Sequence, residues 1–205
     1  MARLGAHYCY GWNCENNPEK CFELAKKSSE MDSSWGNNLL GICYQDGICV
    51  EEDYEEAINW FSKASENGNS RPLYKLGKLY YQGKGCRQDK EKAEELFTKY
   101  GTLDDDLYDD NMYDIACFYS EHADFEKAFK WFKRDFEEIG QASSAFGLAK
   151  LYYQGKGCKQ DKEKAKILFD QVFDSSWFQE NNYMAQEALD RYDFSDSNED
   201  LEEDL

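Results

Sequence analysis

Eight cysteines, two histidines and a cluster of carboxylates are the groups in this 205-residue chain that could make a metal site, a redox couple or a nucleophile with its base. The cysteines do not follow ligand spacing. Cys14, Cys86 and Cys158 occupy one position of a 36-residue period, and Val50 fills the same position in the unit between. A slot that takes Val or Cys is small and apolar. Equivalent slots of stacked helical units stand at least one helix-packing distance apart, about 8–10 Å, whereas a disulfide needs Cα atoms within about 7 Å. These cysteines are therefore expected as reduced, buried thiols, with a local pair, Cys9–Cys14 or Cys43–Cys49, as the alternative. His7 and His122 have no Cys or carboxylate partner at metal-ligand spacing. Asp104, Asp105, Asp106, Asp109 and Asp110 lack the alternating ligands and central Gly of a calcium loop, and read as a solvated loop or a contact for a basic ligand. No catalytic residue, cofactor or metal is expected. A thiol-dependent or disulfide-bonded binding enzyme using Cys43, Cys49 or Cys117 is the different-class alternative.

The elements that must position these groups come from a repeat. Lys78 to Ala93, KLYYQGKGCRQDKEKA, recurs from Lys150 to Ala165 with Arg87 replaced by Lys159, and the copies begin 72 residues apart, twice 36. A weaker copy lies midway, so the chain is a tandem array whose units share a core between neighbours. Each unit reads as a first helix, a Gly-containing loop, and a second helix opened by Asn17, Asp53, Asp89, Asp124 or Asp161. Asn and Asp oxygens accept hydrogen bonds from the first amides of a helix, Pro18 suits the first helical position, and Glu56 completes a capping box with Asp53.

The second helices then carry apolar stripes such as Ala57, Trp60, Phe61 and Ala64, or Ala165, Leu168, Phe169 and Val172. Gly77 and Ala149 are the expected points of close helix approach. Gly83-Lys84-Gly85 and Gly155-Lys156-Gly157 read as turns, because they match neither Gly-x-Gly-x-x-Gly nor a Walker loop. Units fall at about 1–32, 33–68, 69–101, 108–140 and 141–174, in one repeat domain over 1–192 that ends with a closing helix at 179–192. The third unit shortens its loop to Ser120–Ala123 and carries an acidic insertion from Leu103 to Asn111.

The net charge of −18 excludes a nucleic-acid surface and favours a basic partner. Seven of the acids lie in 193–205, which is expected to be a disordered acidic tail; without them the remainder still carries −11. The longest apolar run, Leu39 to Tyr44, is far short of the roughly 18 residues that cross a membrane, and the first residues lack a signal-peptide core. A cytoplasmic location is expected, without membrane contact.

Leu76-Gly77-x-Leu79-Tyr80-x-x-Gly83-x-Gly85-x-x-x-Asp89-x-x-Lys92-Ala93, followed by Phe97, resembles the Sel-one-like repeat, a cousin of the tetratricopeptide repeat, and Leu148 to Phe169 repeats it. The resemblance implies an all-α fold, a right-handed α/α solenoid whose first helices line a concave face. It also implies an adaptor that binds proteins and has no catalytic residues. Cysteine-rich secreted relatives carry regularly spaced Cys pairs within each unit; the cysteines here are not so paired.

With the core positions of the first helices pointing inward, positions 71, 75, 78 and 82 and their equivalents point outward onto that face. They give Trp35, Leu39, Ile42 and Asp46, then Arg71, Lys75, Lys78 and Gln82, then Asp110, Asp114, Cys117 and Glu121, then Ser143, Gly147, Lys150 and Gln154. An apolar end, a basic rung and an acidic rung would orient one protein ligand, with Asp109 alongside. The most concrete expectation is an immunity-type inhibitor that covers the cationic site of a toxin or effector. A general adaptor in complex assembly is the alternative.

Overall fold

The computed structural model describes residues 4–6, 8, 17–102, 111–173 and 192. Among them are nine helices and no strand: α1 Pro18–Glu30, α2 Ser34–Asp46, α3 Tyr54–Glu66, α4 Arg71–Gln82, α5 Lys90–Gly101, α6 Asn111–Glu121, α7 Phe125–Glu138, α8 Ala142–Gln154 and α9 Lys162–Phe173. The closing helix, apart from Tyr192, and the acidic tail lie outside the described residues.

Side-chain caps fix most of the second-helix starts. Asn17 Oδ1 accepts from Lys20 N at 2.9 Å, Asp53 Oδ1 from both Glu55 N and Glu56 N at 3.0 Å, Asp89 Oδ1 from Lys92 N at 2.9 Å and Asp161 Oδ1 from Lys164 N at 3.0 Å. Asp124 departs from the expectation and makes no side-chain capping bond. Its loop is the shortened one, Ala123 sits at φ 58, and Asp124 enters the helix at φ −86, ψ 67 rather than in the extended geometry of Asp53 at φ −142, ψ 100.

The chain divides into two compact units, 1–104 and 105–205. In the first, α1 to α5 each pack on the next helix in sequence. Cys21, Ala25, Leu40, Cys43, Ala57, Phe61, Leu76 and Leu79 fuse successive repeats into one core. Helix approach is set by glycine facing phenylalanine: a Cβ at Gly41 would meet the Phe61 ring, and one at Gly77 the Phe97 ring. In the second unit α6 to α9 pack in the same sequential way. Ile115, Ala116, Tyr119, Ala128, Phe132, Ala149, Phe169 and Val172 are buried there, and the Tyr192 ring stacks on Phe169 with centroids 5.0 Å apart.

The glycine loops do more than turn. Gly85 and Gly157 have φ of +68° and +69°, and a Cβ on either would run into backbone, that of Tyr54 and Glu55 in one case and of Phe125 and Glu126 in the other. The loop after each of these first helices is thus seated on the first turn of the preceding unit's second helix. Lys84 and Lys156 complete the seat, their ammonium groups 5.1 Å and 4.9 Å from the Tyr54 and Phe125 ring centroids.

Three expectations about the cysteines are corrected. Cys21 is disulfide-bonded, so the cysteines are not uniformly reduced. Cys43 and Cys49 do not pair; both are free, as are Cys86, Cys117 and Cys158. Cys86 and Cys158 are half-buried rather than buried, because their slot lies in the loop after the first helix, where solvent reaches one side.

Cys43 is fully buried, with Sγ 3.9 Å from Cys21 Sγ, and burial first, then the charges of Cys49 and Asp46, push its thiol up to about 12. An unfolded thiol ionises near 9, so from there upward the unfolded chain releases a proton that the native state keeps. The stabilisation is complete below pH 9 and is lost at about 1.4 kcal/mol per pH unit as pH rises toward 12. Cys43→Val is expected to flatten that alkaline decline by roughly one proton's worth in denaturant titrations between pH 9 and 11. An unchanged slope would show that Cys43 ionises normally.

Candidate protein-binding grooves

One construction is repeated in the two units. In the first, a groove of about 360 Å³ is lined by Gln45 and Asp46 at the end of α2, Glu52 just before α3 and Tyr54 at its start, Tyr74, Lys75, Lys78, Leu79 and Gln82 of α4, and Lys84 of the loop that follows. In the second, a groove of about 390 Å³ is lined by Tyr113, Cys117, Ser120 and Glu121 of α6, Phe125 and Phe132 of α7, and Ser143, Phe146, Gly147, Lys150, Leu151 and Gln154 of α8. Position by position the linings correspond: Asp46 with Glu121, Tyr54 with Phe125, Tyr74 with Phe146, Lys78 with Lys150, Leu79 with Leu151 and Gln82 with Gln154.

The grooves exist because the first helices turn their Leu and Ala positions into the core and leave the next row uncovered between neighbours. The largest difference is Lys75 against Gly147. Lys75 is half-buried with Nζ 5.8 Å from the Phe61 ring centroid; burial holds its pKa below the usual lysine value, Asp46 opposes that shift and Lys78 adds to it. Gly147 lets the α8 backbone lie directly against the buried Phe132 ring, since a Cβ there would stand 2.7 Å from that ring. The second groove is consequently floored by Tyr113, Phe132 and Phe146, with Lys150 Nζ 5.6 Å from the Phe146 centroid. Burial, ahead of the charges of Asp114 and Glu121, raises the Cys117 thiol above its ordinary value despite a hydrogen bond with Tyr113, so Cys117 is a poor nucleophile.

Lys75 and Lys78 share the first groove, and Glu121 and Lys150 share the second. Arg71 stands beside Trp35, its Cζ 4.7 Å from the ring, and Trp35 is 41 % exposed. Leu39 and Ile42 are corrected: at 3 % and 6 % exposure they belong to the core, and a Cβ at Gly5 would stand 2.7 Å from Leu39. Leu39 is covered by the turn that carries Gly5. Asp114 is half-buried on α6; Asp109, Asp110 and His7 lie outside the described residues. His122 is exposed, with Nδ1 2.8 Å from the Phe118 carbonyl oxygen, and the described residues hold no group of three His, Cys, Asp or Glu placed to bind a metal. Sequence reasoning missed the aromatic walls Tyr54 and Phe125, whose signal was an aromatic directly after the capping Asp in both units.

The Sel1 repeat matches residues 1–33, 36–69, 73–104, 112–134 and 142–171, most of the chain. This chain belongs to the Sel1-repeat family. Its fold is the α/α solenoid of that family. It is similar to the crystal structure of c5321, a protective antigen present in uropathogenic Escherichia coli strains and displaying an SLR fold, with a TM-score of 0.64 and 26 % identity over 83 % of this chain and 37 % of that one. The Sel1 repeat protein of Oxalobacter formigenes shares the fold, with a TM-score of 0.61 and 22 % identity over 83 % of this chain and 70 % of that one. Chitin synthase regulatory factor 2 of Schizosaccharomyces pombe is 27 % identical over 119 residues, 56 % of this Sel1-repeat chain. The match spans 23 % of that relative's length. Sel1 repeats form protein-interaction solenoids. No helix among the described residues is long and apolar enough to cross a membrane.

Proposed function

We propose that this Sel1-repeat protein is a non-catalytic binding protein that holds a protein partner in the grooves between its first helices. The observation that supports this reading is the duplicated groove, which keeps a lysine, a leucine, a glutamine and an acid at matching places and exchanges only part of its lining. A half-polar cleft with aromatic walls suits protein side chains.

The finer reading is a basic partner, such as a toxin or effector inhibited by an immunity-type protein, and it rests on the net charge of −18. Placement in the cytoplasm belongs to the same reading; the disulfide at Cys21 is the observation against it, because such bonds are rare in reducing compartments. General complex assembly is the coarser alternative.

Retention of partners from the native organism by the full chain and by a Glu121→Lys, Lys150→Glu double variant tests the proposal. Both side chains are solvent-accessible, so the fold is expected to survive and binding to fall at least about tenfold. One basic partner, lost in the variant and at moderate salt, supports inhibition. Several partners, or an acidic one indifferent to salt, support the general adaptor. An identical partner set on both proteins would remove the second groove from the mechanism.

A further inference from the structure

The first groove reverses the sign of the molecule that carries it. Arg71, Lys75 and Lys78 follow one face of α4 at i, i+4 and i+7, and Lys84 closes the rim, in a chain whose net charge is −18. The acids that share the groove are Asp46 and Glu52, and Asp46 Oδ1 already accepts from Gln45 Nε2 at 2.8 Å. Lys75 is the least satisfied of the cations. It is half-buried over Phe61, itself without exposed surface, and it makes no hydrogen bond or ion pair among the described residues. Removing an ammonium from water without supplying an acceptor is unfavourable. The equivalent position of the other groove is Gly147, so the fold does not require a cation there.

We propose that the groove between α2 and α4 reads a carboxylate: an Asp or Glu side chain of the bound protein segment seats on the Lys75 ammonium, with Lys78 beside it. This rests on the reading that the grooves hold a protein partner, and it names the chemistry of one contact. The groove selects a monoanion over a phosphate, because Asp46 and Glu52 stand in its wall and repel a second negative charge. An acidic contact is compatible with a basic partner: the overall field draws the partner in, while one acid on one buried lysine fixes its register.

The test pans short random peptides displayed on phage against the full chain, then measures the selected peptides by calorimetry on the wild type, Lys75→Met, Lys75→Arg and Lys150→Glu. Selected peptides are expected to share an Asp or Glu at one position. Changing that residue to Asn or Gln, or Lys75 to Met, weakens binding by about 10–100-fold. Lys75→Arg retains most of the affinity, and the melting temperature of Lys75→Met is not lowered, because the thioether keeps the packing and removes the unpaired charge. Peptides without a fixed acid, or affinity unchanged in Lys75→Met but lost in Lys150→Glu, overturn the carboxylate site and leave the grooves standing. Affinity unchanged in both, or no selected peptide, overturns the grooves as well.

Discussion

Gly157→Ala is expected to destabilise the second unit by at least about 3 kcal/mol, read as a lowered urea midpoint at constant slope. Two costs coincide. The residue sits at φ +69°, where a Cβ alone costs roughly 1–2 kcal/mol, and the new methyl would overlap the Phe125 carbonyl and stand 2.7 Å from Glu126 N. Backbone in the first turn of α7 cannot retreat without losing the seat of the loop. Gly140→Ala is the control: it shares a positive φ, +79°, but nothing lies within 4 Å of its Cβ, so about 1 kcal/mol is expected. If the two substitutions cost the same, the loop does not clamp the units and only backbone freedom is at stake.

Phe97→Ala is expected to cost about 3–5 kcal/mol, the range for a fully buried aromatic. Phe97 has no exposed surface and covers Gly77, whose missing side chain lets α4 and α5 approach. Helices held by their backbones cannot close the void. The pairing makes a sharper claim through a double-mutant cycle. Gly77→Ala drives a methyl into the Phe97 ring in the wild type, where a Cβ would stand 2.5 Å from its Cε1, but finds space once that ring is gone. The double variant is therefore expected to be more stable than the sum of the singles by more than about 0.5 kcal/mol. Additive effects would show that Gly77 and Phe97 do not define the approach.

Much of this is legible in the residues themselves. Capping at Asn17, Asp53, Asp89 and Asp161 follows from side-chain chemistry and sequence neighbours alone, and so does the outward row holding Lys75, Lys78, Glu121 and Lys150. Asp124 does open its helix, as expected, but without a side-chain capping bond, because that bond depends on the angle at which a shortened loop delivers the chain, a property of Ala123 at φ 58 rather than of the Asp. Leu39 and Ile42 join the core instead, Leu39 against the turn that carries Gly5, because the angle of a position on its helix does not say how far the neighbouring repeat covers it.

The period, the helix pairs, the caps at Asn17, Asp53, Asp89 and Asp161 and the polar row of α4 follow from contacts a few residues apart and from a pattern repeated every 36. Tertiary structure decided the rest. The glycine loop became a clamp only when the preceding unit's α3 or α7 came to lie beneath it. Lys75 became a half-buried cation only when Phe61 of the neighbouring helix slid under it, and Cys43 became an unreactive thiol only when the core closed around it. Each of these effects is a matter of desolvation or overlap between groups distant in sequence, which no local reading of residue types contains.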